Sequence, residues 1–475
     1  MPTASTIAFA LAFTAGFLVS AAEAQQGDVV TRQYEDGSVY EGTFTDGLRD
    51  GTGHYRLPNG YTYSGDWVEG EIRGDGTARF PGGAVYEGTF AGGRPHGAGT
   101  ITYLDGGRYT GEWVEGEIEG QGMIVHADGV RYEGDFRDGA RHGSGRLETP
   151  AGYVYEGEWA DGQRQGQGTI TYPDGSRYRG EMAFDQRQGQ GVLRRPDGLV
   201  YEGQWADGEI DGRGRLSWPN GDVYEGPFRD GERAGQGRMV YGNGDIYEGT
   251  FSGGVREGEG TLIRANGVEY TGQWSAGRIS GTGEIAYPDG AVYTGAFRGD
   301  LPHGEGRIVF ADGTVHEGRF EDGVIQGRGV TTYPDGTTYE GTFENARRHG
   351  EGMLALPDGT TYEGAWIAGA RAGPGVATYP DGTVYEGRFE DGLRQGHGRA
   401  TYPDGTTYDG TWEAGVMGGQ GVARYPGGEI YRGGFAGGAR EGEGTLVYDD
   451  GTEISGEWLD GGLVAPAAPQ NGDSG

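Results

Sequence analysis

The chain of 475 residues contains no cysteine, and its basic residues are all arginine. Without cysteine there are no disulfides, no thiolate metal ligands, no thiol nucleophile and no lipid-modified N-terminal cysteine. Without lysine, 38 arginines face 72 acids, and the net charge of −34 sets the chain against nucleic acid and anionic lipid. Apolar residues are scarce at 34%, yet aromatics reach 12%. Disordered chains are poor in aromatics, so this composition points to a core of rings.

Long apolar runs are also missing, with one exception. Residues 7–19 (IAFALAFTAGFLV) are apolar throughout. A membrane span needs about 20 such residues, so the run fits the apolar part of a secretory signal. Ala22-Glu-Ala24 follows as a small-residue cleavage site, although no basic residue precedes Arg32. Cleavage is expected between Ala24 and Gln25, which removes one acid, Glu23, and leaves −33. A short signal and no cysteine point to a bacterial protein of the periplasm or the extracellular space.

What the chain has in excess is glycine, 105 residues, together with 30 tyrosines and 9 tryptophans, and they are strictly spaced. A Tyr-x-Gly-x-aromatic element starts at residue 40 and returns every 23 residues up to 454, nineteen starts without insertion or deletion. With the first residue as position 0, glycine holds position 2 in every repeat, positions 11 and 13 in all eighteen complete ones, and position 20. Tyr385, Gly387 and Phe389 alternate with Glu386 and Arg388, the period of a half-buried strand. Gly396, Gly398, Ala400 and Tyr402 alternate in the same way. Tyr402-Pro-Asp-Gly405 suits a type I turn closed by a glycine, and Asp391 to Gly396 reads as a longer glycine turn. Each repeat is therefore predicted to be one β-hairpin, with rings and glycines on one face. A glycine opposite a ring leaves space for it to lie across the strand. A lone hairpin is marginal, so neighbours must cover each other.

These elements resemble the MORN (membrane occupation and recognition nexus) repeat family. The matching residues include Tyr339-Glu-Gly-Thr-Phe343, His349-Gly-Glu-Gly352 and Tyr379-Pro-Asp-Gly382, and the likeness runs over residues 28–460. The resemblance implies an all-β fold: an elongated, twisted, single-layered antiparallel sheet of tandem hairpins, open-ended like a solenoid, with no second domain. Residues 25–38 then form an N-terminal half-repeat cap, 39–460 the array, and 461–475 a disordered tail rich in Pro, Ala and Gly. The pattern predicts 38 strands.

Nothing in the repeat reads as chemistry. His96, His142, His303 and His349 all hold position 10, at least two repeats apart. With two strands per hairpin that is roughly 19 Å, far beyond what zinc bonds near 2.1 Å require. Glu41, Glu87 and Glu133 form a ladder at position 1, with rungs too wide for a shared proton or a chelate. The Gly-x-Gly pairs precede strands, so no helix N-terminus is offered to a phosphate. The expectation is a non-enzyme with no metal and no cofactor.

The leading functional reading is an exported scaffold of the bacterial cell envelope that binds a protein partner. A glycan-binding module using the aromatic rows is the alternative, and a membrane-lipid role is disfavoured by charge. Irregular repeats mark the candidate partner contacts. Met182 stands where a ring belongs, Phe184 lies in a turn that lacks Asp-Gly, and His316 replaces tyrosine. Trp458 closes the last strand of the array: either the tail after it folds across Trp458 and blunts the edge, or Trp458 stays open and two chains meet there as an end-to-end homodimer. Mass spectrometry of the exported protein should find Gln25 as its first residue; residues 1–24 retained in a cytoplasmic fraction would contradict export.

Overall fold

A computed structural model describes residues 27–467 of the chain. The signal segment, the Ala24–Gln25 junction and the last eight residues lie outside that range. The chain divides into two compact units, residues 1–242 and 243–475. Within each unit, every described strand pairs antiparallel with the strands before and after it in sequence, with strand 232–240 interrupted once. There is no helix among the described residues.

Every repeat builds the same hairpin, and the one at 200–217 shows why. Its first strand, Val200–Ala206, ends in Asp207-Gly208 with φ of 49° and 86°, and its second runs Glu209–Ser217. Two successive left-handed residues match the twist of the flanking strands. The connection is thus a two-residue turn, shorter than the Asp-to-Gly turn of six residues read from sequence. Gly203 pairs with Gly214, after which the register jumps so that Trp205 meets Ile210. Gln204 alone is therefore opposed by Asp211, Gly212 and Arg213. This bulge requires Gly212 at φ 94°, a conformation costly for a side chain. The glycine at position 11 is a backbone requirement, whereas those at positions 2 and 13 clear space for a ring.

The ring is the tyrosine at position 0. Tyr201 is fully buried, and its hydroxyl donates 2.8 Å to the Gln204 carbonyl that the bulge has freed from the ladder. The same bond recurs from Tyr40 to Tyr431 at every repeat except the one that begins with His316. Between successive tyrosines stand the rings of position 4. Tyr201 meets Trp205 at 5.4 Å and Phe228 of the next repeat at 5.3 Å, both edge to face. Such pairs add about 0.5–1.5 kcal/mol each beyond burial. The Tyr172-Pro-Asp-Gly175 turn closes as expected, with Gly175 N–H donating to Tyr172 O at 2.9 Å.

Forty strands are described where 38 were predicted. One extra arises where Ala234 N–H turns to Pro227 O and splits a strand into Glu232–Arg233 and Gly235–Val240. The other is Gly462–Pro466, inside the segment predicted to be a disordered tail. It pairs with the last array strand, Glu453–Leu459, in a register that sets Leu463 opposite Trp458 and Pro466 opposite Gly456. Leu463-Val-Ala465 favours extended backbone, and a proline at the end of an edge strand forfeits no ladder bond.

Candidate interaction surface

The ring side of the sheet is used up by packing. Tyrosine hydroxyls there are donors at neutral pH, because burial pushes their ionisation up, to about 12 at Tyr385. Tryptophans donate as well: Trp205 Nε1 gives its hydrogen to Gly191 O at 3.3 Å, and Trp412 to Gly398 O at 3.0 Å. Arginines at position 9 close the column from outside. Arg49, Arg187 and Arg394 lie 4.1–4.2 Å above the ring of the next repeat's tryptophan, and Arg394 also donates to Gly415 O at 2.6 Å. The sequence reading missed this partnership. Its signal is plain in retrospect: each repeat tryptophan except Trp113 follows an arginine by 18 residues.

Position 10 braces the next hairpin. Gln188 accepts from Asp207 N–H at 2.9 Å and Gln395 from Ala414 N–H at 2.9 Å, both left-handed turn residues. His303 does the same for Asp322 at 3.4 Å. At this position His303 thus serves the scaffold. Among the described residues no three His, Asp or Glu side chains converge as a metal site would require.

The four candidate contacts are not brought together. Met182 and Trp458 are 3% and 5% exposed, and His316 is fully buried. Trp458 is covered by the 462–466 strand and by Arg440 at 4.4 Å, so of the two arrangements left open in sequence it takes the blunted edge, not an exposed ring. Phe184 is 75% exposed and holds φ 48°, left-handed, followed by Asp185 at 67°. A bulky ring in that conformation costs about 1–2 kcal/mol relative to extended backbone. Arg164 fixes the turn through two bonds of 3.0 Å to the Asp185 carboxylate, from its N–H and its Nε.

The face away from the rings, here the outer face, carries positions 1, 3, 12, 14 and 16. Arg215–Glu225 at 3.0 Å and Arg307–Glu317 at 2.9 Å are cross-strand ion pairs on it. Near the C-terminal end of the second unit this face holds a trough of about 1320 Å³, lined by residues such as Arg399, Asp409, Arg432 and Glu443. Half-buried glycine backbone forms part of its floor, at Gly421 and Gly433 among others.

Stacked hairpins bound by ring columns define a tandem-repeat protein. The chain belongs to the MORN repeat family: the MORN repeat model matches eighteen successive segments from 40–60 to 431–453. Repeats of this family suggest protein or membrane interaction. Among curated proteins, rat (Rattus norvegicus) alsin is 47% identical over 49 residues, 9% of this chain and 3% of alsin, so the match spans a small part of that protein. Among solved structures, the Drosophila melanogaster SAS-4 TCP domain, in complex with a proline-rich motif of Ana2, is 18% identical. It covers 37% of this chain and 90% of its own, with a TM-score of 0.22. The TCP10 domain of Danio rerio CPAP is 17% identical over 56% of this chain and 99% of its own, with a TM-score of 0.14. Scores this low carry no argument about function.

His316 is the one repeat-opening position in the described array where a titratable imidazole enters the column. Its Nδ1 lies 2.9 Å from Thr331 Oγ1, and its Nε2 is buried without a partner. Thr331 replaces the aliphatic residue, methionine or tyrosine that position 15 holds in every other repeat, so the two polar departures face each other across one strand pair. Burial lowers the imidazole pKa from 6.5 to about 4, against a smaller opposing pull from Glu317. The folded state therefore binds the proton less readily than the unfolded one. Stability from this site is intact above pH ~6.5 and is lost as pH falls toward 4. Urea midpoints measured from pH 7 to 4 should fall more steeply for the wild type than for His316→Tyr; equal slopes would contradict the assignment.

Proposed function

We propose that the chain is an exported, non-catalytic scaffold of a bacterial cell envelope that holds a protein partner on its outer face and turn rows. The observation that supports this most is the consumption of the ring columns by packing. Tyr201, Tyr385 and Trp412 are buried to within 1% of completeness. Sugar stacking needs an open ring face, and edge-to-face packing on both neighbours leaves these rings none, which speaks against the glycan reading. The net charge speaks against an anionic membrane. What is left exposed is a mainly polar and charged face with some apolar side chains and a row of turns, one of which presents Phe184.

An exposed aromatic held in a strained conformation is a fitting anchor for an apolar pocket on a partner. The test is retention of envelope proteins against retention of peptidoglycan by the mature chain, with Phe184→Asp/Asp185→Gly beside the wild type. The double variant restores the turn residues of neighbouring repeats, and the relief of backbone strain offsets the Arg164 bonds lost with the Asp185 carboxylate, so its melting curve should stay near the wild type's. Protein capture should fall at least tenfold in the variant. Binding to peptidoglycan alone, unchanged by the substitution, would contradict the reading.

A further inference from the structure

Over most of the outer face, positions 1 and 14 set polar or charged side chains opposite one another. Arg215 meets Glu225, Thr100 meets Thr110 at 3.0 Å, and Thr261 meets Thr271 at 3.0 Å. Single apolar residues interrupt this at Met123, Val192 and Val422, but between residues 317 and 386 three consecutive repeats carry one, each flanked by two glutamates. Val330 lies between Glu317 and Glu340, Met353 between Glu340 and Glu363, and Val376 between Glu363 and Glu386. The three apolar side chains are 38%, 45% and 40% exposed. Glu340 and Glu363 have no ion-pair partner among the described residues, whereas Arg307 is matched to Glu317 where the stripe begins. The adjoining row, from Thr332 to Thr378, holds only Thr and Ala over the same repeats. Arginine stands in that row at Arg56, Arg79, Arg194 and Arg424, none of them beside the stripe.

An exposed apolar stripe interleaved with carboxylates of one sign has a definite complement: apolar side chains spaced with cations. The spacing also selects the shape of what carries them. Strands lie about 4.8 Å apart, so glutamates one hairpin apart repeat at roughly 10 Å. Seven residues of α-helix rise about 10.5 Å and return to nearly the same face. An extended segment covers 10 Å in about three residues, which turns successive cations to opposite sides. We propose that the outer face between residues 317 and 386 docks a basic amphipathic helix of a partner protein, one heptad per hairpin. Cations then meet Glu340 and Glu363, and apolar residues three or four places on meet Val330, Met353 and Val376. This rests on the protein-interaction reading and names the partner's chemistry.

The probe is a synthetic peptide of three heptads, with Lys repeating every seven residues and Leu four places after each Lys. A control peptide has Ser in place of each Leu. The first should bind the mature chain at least tenfold more tightly than the control and gain helical circular dichroism on binding. Val330→Ser/Met353→Ser and Glu340→Gln/Glu363→Gln should each weaken it at least tenfold. Glu87→Gln/Glu133→Gln, at the same position in distant repeats, should leave it unchanged. All these side chains are exposed, so the melting curves should overlay. Equal affinity for the two peptides, equal loss in the distant variant, or no binding would overturn the proposal. Partner capture that depends on Phe184 but survives Met353→Ser would overturn it while leaving the interaction reading in place.

Discussion

The architecture depends on one close approach, that of a tyrosine ring to bare backbone. In each hairpin the ring lies flat over a facing pair of glycines. A Cβ built on Gly214 would stand 2.5 Å from Cε2 and from the hydroxyl of Tyr201. On Gly203 it would meet the same hydroxyl at 2.6 Å and the carbonyl of Arg213 at 2.6 Å. No side chain fits at either place. Glycine in a strand ordinarily weakens it by roughly 0.5–1 kcal/mol, but here the missing side chains let an aromatic bury against two peptide planes at once. The ring then acts as the second layer that a single-layered sheet lacks.

The bulge and the ring require each other. Skipping Gln204 in the ladder frees its carbonyl from a strand partner, and an unmade bond there costs about 1–3 kcal/mol to the extent that the group is shielded from water. The hydroxyl of Tyr201 makes that bond at 2.8 Å. That is why the spacing between Tyr, the two paired glycines and the left-handed glycine admits no insertion through the array. Contacts reach only to neighbouring hairpins, so stability accumulates locally. One repeat can then depart, as at His316 with Thr331, without disturbing the column on either side.

Much of this was legible in sequence because the period carried it. Alternation of Tyr, Gly and Phe gave the first strand, and Tyr-Pro-Asp-Gly gave its turn. The separate reasons for the glycines were not legible, since the residue at position 11 is chosen for its φ and those at 2 and 13 for clearance, and both leave the same letter. The Asp391-Gly392 turn was overextended because Gly396, which marks a bulge inside a strand, was read as part of a loop. The strand at 462–466 was hidden by its prolines and alanines, which look like linker but pair readily when Trp458 needs a cover. Candidate contacts suffered most. Irregular letters were read as exposed, whereas Met182 and His316 are departures within the buried column, and only Phe184 faces solvent.

Function on such a scaffold resides in whatever the ring columns do not use, so the account stands or falls with the columns. The most direct measurement is a double-mutant cycle between Tyr201→Ala and Gly214→Ala, read by hydrogen exchange of the strands at 200–206 and 209–217. The added methyl should cost about 1–3 kcal/mol of local stability beneath the ring and much less once the ring is gone, a coupling above 1 kcal/mol. Equal cost in both backgrounds would show that the glycine answers to the backbone alone, and the close approach of ring to glycine would no longer explain the fold.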